Sequence, residues 1–217
     1  MDALVNINGD RVPTLELLLM LTVIALLPSI LVMMTSFTRI VIILSFVRNA
    51  LGVQQVPPSM VMVGISLFLT LFIMDPVISE INTTAFEPYR EEQITQEEAL
   101  ERAQVPLKEF MLRQTEISSV DMYMDLAGTE AVEELTDLPL TVVVPAFMTS
   151  ELKRAFMAGF LLFLPFLLID IIVSTTLMSM GMFMLPPATI SLPFKLLLFV
   201  TVDGWQLLFS TLVQSFR

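Results

Sequence analysis

Five stretches without a single charged side chain, Leu17 to Thr38, Asn49 to Met74, Ala155 to Ile169, Ile171 to Phe194 and Gly204 to Phe216, decide what this chain can fold into. Crossing hydrocarbon takes about 20 mostly apolar residues at about 1.5 Å each. Runs of this kind, in a chain that is 55% hydrophobic with a mean hydropathy of +0.81, place it in a membrane rather than in water. Proline lacks the amide and clashes with the preceding turn, so Pro57-Pro58 and Pro186-Pro187 break the apolar sequence. Four long hydrophobic helices are predicted, near 15–47, 59–78, 151–180 and 192–214. The first and third exceed one span and contain Pro28 and Pro165, which can kink them. Tilted or partly protein-buried helices fit these lengths as well as simple spans.

Charge is segregated. Between Glu80 and Asp137 stand fifteen acids and four bases, a net of −11 that equals the formal charge of the whole chain. The fold class expected is therefore an all-α membrane protein, two apolar helical hairpins with a small acidic helical extracytoplasmic domain inserted between them. Its parts are an N-terminal segment at 1–14, a first hairpin at 15–78, the acidic domain at 79–138 and a second hairpin at 139–217. Arg39 and Arg48 are taken to flank the turn of the first hairpin, so the positive-inside rule puts that turn in the cytoplasm and the insert and both termini outside. Lys153 and Arg154, on the outer side of the third helix, count against this. The N-terminal stretch has neither a basic n-region nor a clear small-residue cleavage site. Either the first helix is retained or a signal peptide is absent from this version.

The insert reads as helical. Thr95-Gln96-Glu97-Glu98 is a capping-box pattern, Pro106 is expected to open a second short helix, Ser119 to cap a third, and Gly128 to end it. The plain alternative is a solvated acidic cap whose charges only keep it wet.

Zero Cys and zero His remove disulfides, thiolate and imidazole metal sites, Cys nucleophiles and histidine bases. No Gly-rich phosphate loop is present, and so acidic a chain is a poor holder of phosphate backbones. No cofactor, no catalytic residue and no nucleic-acid partner are expected. Asp170, Lys195 and Asp203 interrupt apolar helices at about 2.5–3.5 kcal/mol each if they faced lipid at mid-depth, so they should face protein or water. Lys195 and Asp203, eight residues apart on one predicted helix, lie about 12 Å apart along its axis, so each needs a partner elsewhere. With Glu151 they form the candidate buried polar or assembly set, and a proton or ion pathway is the competing reading. In Met178 to Pro187, four methionines alternate beside Gly181 and the proline pair. Unbranched thioethers deform around what they touch and can close a pore, or simply fill a core. Gly159, beside Phe156, Phe160 and Phe163, permits close helix approach.

Several longer motifs then resemble one family. They are Thr35-Ser36-Phe37-Thr38-Arg39-Ile40; Pro145 to Phe156 with Gly159-Phe160; Pro165 to Asp170, leading through Met180-Gly181-Met182 to Pro186-Pro187; Ser191-Leu192-Pro193-Phe194-Lys195; and Val202-Asp203-Gly204-Trp205. In this order, from about Thr14 onward, the chain resembles the FliP family, called SctR in injectisomes, of the type III secretion export gate. The resemblance implies a non-enzymatic, multi-pass protein of the cytoplasmic (inner) membrane in the flagellar basal body. Five copies would surround a channel that passes unfolded export substrates, joined by FliQ-like, FliR-like and FlhB-like subunits, with membrane lipid around the assembly. It also implies a pore gasket at Met182, Phe183 and Met184, where Phe183 departs from the family's methionine run, as Met157-Ala158 departs from its Gln-Ile pair. An injectisome gate subunit and a proton-coupled transporter using Asp170, Lys195 and Asp203 are the alternatives. An intramembrane aspartyl protease pairing Asp170 with Asp203 is a remoter one.

Overall fold

The computed structural model describes residues 4–7, 10–53, 55–129, 132 and 134–216; Glu130 and Glu133 of the acidic stretch lie outside them. A short antiparallel pair, β1 (Leu4–Ile7) and β2 (Asp10–Pro13), precedes an otherwise helical chain. The helices are α1 (Thr14–Met34), α2 (Phe37–Leu51), α3 (Ser59–Ile81), α4 (Glu87–Arg90), α5 (Gln96–Gln114), α6 (Ile117–Ala127), α7 (Leu140–Ser179), α8 (Pro187–Thr201) and α9 (Gly204–Gln214). A π turn at Asn82–Phe86 carries α3 into α4, and a 3-10 turn at Leu135–Asp137 precedes α7.

Two continuous helical stretches, Ser59–Arg90 and Leu140–Ser179, are long and apolar enough to cross a membrane, and up to four spans exist if each of two bent pairs counts as one. Those bends correct the sequence expectation. The helix predicted at 15–47 breaks at Thr35-Ser36, and α2 turns by 78° from the end of α1. Here Thr35 Oγ1 bonds the Leu31 carbonyl and Thr38 Oγ1 bonds the Val32 carbonyl at 2.6 Å, so hydroxyls take acceptors that the next helical turn would have used. The helix predicted at 192–214 bends by 60° at Val202-Asp203. Pro106 opens no new helix: it is buried inside α5, whose start Thr95 already caps by accepting the Glu98 amide at 3.3 Å. Glu116, not Ser119, precedes α6, and Gly128 ends it in the left-handed conformation with φ 62°.

The core is a seam between α2 and α7. Val143, Phe147, Glu151, Ala155 and Gly159 recur every four residues on α7 and all are buried, which is one face of an α-helix. Against them α2 turns Ile40, Leu44 and Val47, each at most 2% exposed and each contributing about 1.5–3 kcal/mol through burial. Phe110 of α5 extends this core, with its ring 6.1 Å from Phe147 and stacked 6.3 Å from Phe216. Beyond Phe166 the buried face of α7 ends, and Leu168, Ile171 and Ile172 are exposed. At about 1.5 Å per residue, a helix of 40 residues is about 60 Å long, twice the hydrocarbon thickness. Lipid alone cannot cover its whole length.

At Gly159 α7 packs closely against Phe46 of α2. A β-carbon there would stand 2.5 Å from the Phe46 ring. Gly159→Ala is expected to destabilise the chain by about 1–3 kcal/mol through overpacking, and Phe46→Leu to restore part of that loss. Thermal melting of the purified single and double variants checks this; an alanine variant that melts with the wild type would mean that Phe46 moves aside freely.

Candidate functional site

Three groups of polar or flexible residues mark the apolar body, spaced from the acidic end toward the α7–α8 turn. The first is buried where α2, α5, α7 and the C-terminal turn converge. Arg39 Nε donates to Glu151 Oε2 at 2.9 Å and its Nη2 to Glu151 Oε1, a two-point pair with side chains only 5% and 0% exposed. Nη2 also donates to Gln114 Oε1 at 3.2 Å, and Nη1 to the Ser215 carbonyl and hydroxyl at 3.4 and 3.3 Å. The guanidinium carbon lies 3.9 Å from the centre of the Phe216 ring. Every arm of the cation is therefore occupied, the condition under which a buried ion pair is tolerated. Arg39 thus does not flank the turn after α2, as expected from the sequence. It sits at the opposite end of that helix, and Arg48, which donates to Ser59 Oγ at 3.0 Å, is the basic residue beside the turn.

The second group ties α7 to α8. Lys195 Nζ donates to Asp170 Oδ2 at 2.6 Å, and Ser191 Oγ donates to Asp170 Oδ1 at 2.6 Å. Lys195 and Ser191 are buried while the Asp170 side chain is one-third exposed. Asp203, grouped with Lys195 from the sequence, stands apart. It occupies the bend with φ 49°, a left-handed conformation that aspartate tolerates better than most residues. It is exposed, and its side chain makes no ion pair or hydrogen bond among the described residues. The bend removes the premise that Lys195 and Asp203 share one helix face. A proton-sharing pair of Asp170 and Asp203 needs the two carboxylates in contact, and both Asp170 oxygens are committed to Lys195 and Ser191.

The third group is the turn joining α7 to α8. Gly181, with φ 75°, donates to the Met178 carbonyl at 3.1 Å, and Met182 donates to the Leu177 carbonyl at 3.0 Å. This doubled bond is a Schellman closure, which needs a residue at positive φ. Pro187 then opens α8 at its first position, where no amide is required. The turn leaves Met182, Phe183 and Met184 outside the core, at 42%, 79% and 97% exposure.

Gln114, Ser215 and Phe216 complete these groups without standing out in the sequence, and Ser191 appears there only as part of a motif, since polar or aromatic side chains carry no signal until their partners are placed. Among the described residues no cluster of three or more acidic, His or Cys side chains is positioned to hold a metal ion.

Similarity to known proteins agrees with the motifs. Residues 20–212 match the FliP family. The chain is 51% identical to the flagellar biosynthetic protein FliP of Bacillus subtilis (strain 168), with all of both chains covered. It is 51% identical to that of Pectobacterium carotovorum subsp. carotovorum over 96% of this chain and 82% of the relative. With that of Aquifex aeolicus (strain VF5) it shares 47% identity over 97% and 89%.

Proposed function

Because the chain belongs to the FliP family, we propose that it is a pore-forming core subunit of the flagellar protein export gate in the cytoplasmic membrane. Five copies surround a channel, with FliQ-like, FliR-like and FlhB-like subunits beside them, and unfolded substrate proteins pass through. The observation that most supports a pore is the α7–α8 turn, because three large apolar side chains stand at a helix end, with Phe183 and Met184 largely and Met182 partly left open by their own chain. Converging copies would bury them against one another. Export then proceeds by yielding: an unfolded chain pushes flexible thioethers aside, and they close behind it without bonds to break. The Asp170–Lys195–Ser191 tie holds α7 and α8 together within a few turns of that tip and transmits no chemistry in this reading.

In the proposed arrangement two apolar hairpins cross the membrane. The acidic stretch faces the outside and the Met-rich turn lies toward the cytoplasm, on the side of Arg48. The uncovered apolar surface of α7 beyond Phe166 supports close neighbours, since a helix that is apolar all round must be covered by protein or lipid. Particle images and mass of the detergent-extracted complex test the proposal. A ring of five with additional small subunits is expected; a monomer or dimer would favour a transporter built on Asp170 and Lys195. In the same cells, Gln93→Cys should react with a membrane-impermeant thiol reagent from outside, and protection until lysis would reverse the orientation.

A further inference from the structure

A cleft of about 810 Å³ separates α7 from α9. Ala158, Leu161 and Phe166 form one wall, Leu208 and Leu212 the other, and Arg39 and Arg154 stand at its end. Both guanidiniums donate to the same oxygen, Gln114 Oε1, at 3.2 and 3.1 Å. Among the described residues only Glu151 balances them, and its two oxygens are held by Arg39, so those residues leave a net charge of +1 at the end of the cleft. Lys153, by contrast, is paired with Glu116 at 2.6 Å.

Position along α7 adds the environment. Arg154 is the last charge before Ala155 to Ser179, in which Asp170 is the only charged residue. Those residues rise about 37 Å, enough for one tilted span, and in the membrane arrangement proposed above this puts the guanidinium where hydrocarbon gives way to headgroups. We propose that the cleft holds an acyl chain of an anionic phospholipid, with the headgroup phosphate at Arg154 and the chain lying along α9. A cavity of this volume falls in the range of small-molecule sites. The excess positive charge selects an anionic lipid over a zwitterionic one.

The test uses full-length protein, extracted with whatever complex it forms and exchanged into mixed phosphatidylglycerol and phosphatidylethanolamine nanodiscs. After delipidating washes, retained lipid is identified and counted by mass spectrometry. The wild type and Arg154→Lys are expected to keep about one phosphatidylglycerol per chain and Arg154→Gln about five-fold less, the ratio for one lost cation near the membrane surface. Ala158→Phe, which fills the cleft and leaves Arg154 in place, is expected to lose it as well. Equal retention by wild type and Arg154→Gln overturns the proposal. So does wild-type protein without retained lipid, the outcome expected if a neighbouring subunit's helix occupies the cleft; Ala158→Cys would then be protected from maleimide only in the assembled complex.

Discussion

Glu151→Ala is expected to cost about 3–5 kcal/mol, a large share of the stability of a typical domain, because it leaves the Arg39 guanidinium buried without its carboxylate. Both side chains are almost wholly removed from solvent, and Arg39 is held in place by Gln114, Ser215 and Phe216, so it cannot swing out to find water. The pair also joins elements that are far apart in the chain: Arg39 lies on α2, Glu151 in the middle of α7 and Ser215 at the C-terminal turn. Its loss should therefore be felt as loss of folded protein rather than as a local change. A fall in melting temperature on the order of 10 °C in detergent is expected, with a matching loss of membrane-inserted yield. Replacing both partners, Arg39→Met with Glu151→Leu, should recover much of that loss, because two desolvated charges disappear together. If the single variant melts with the wild type, or the double variant melts below it, the pair is not the anchor described here.

That pair also marks the boundary of what sequence could reveal. Glu151 was legible as a polar residue in apolar surroundings, and Lys195 and Asp170 as charges that must face away from lipid, since the expense of a bare charge is a local property. Which charge meets which was not legible. Arg39 looked like a turn residue only because the break at Thr35-Ser36 was hidden: hydroxyl back-bonding has no hydropathy signature, so α1 and α2 read as one helix. The same holds at Asp203, which read as a lone charge within one apolar helix, whereas its left-handed backbone bends α9 away from α8. By contrast, Thr95, Gly128 and the two proline pairs act locally, through a capping hydroxyl or their own backbone, and each stands at an element boundary in the structure. The four-residue stripe on α7 shows why the seam with α2 formed where it did. It stops near Gly159; beyond it α7 meets its own chain mainly at Phe166 and Asp170, and much of its apolar surface is left uncovered.

Alanine in place of Met182, Phe183 and Met184 together is expected to leave the folded chain almost unchanged and to make resting cells leak ions and small solutes. The first half follows from exposure: side chains 42%, 79% and 97% open contribute little to their own subunit, and surface substitutions of this kind usually stay within about 0.5 kcal/mol. The second half follows from the proposed convergence of five turns on one axis. A seal of that kind excludes water only while its apolar bulk fills the opening, and a triple change to alanine removes most of that bulk from every copy at once. Leucine at the three positions restores volume without the flexibility of the thioethers, so it should leak less than alanine yet pass substrate less readily than the natural residues. Gly181 and Pro187 stay untouched, so the turn geometry is preserved and the difference between the variants reports side-chain volume and flexibility. Conductance and solute sensitivity, measured beside assembled complex and secreted flagellar substrate, decide the matter. A membrane that stays tight with the alanine variant at normal assembly would mean that these side chains pack against a neighbour and seal nothing.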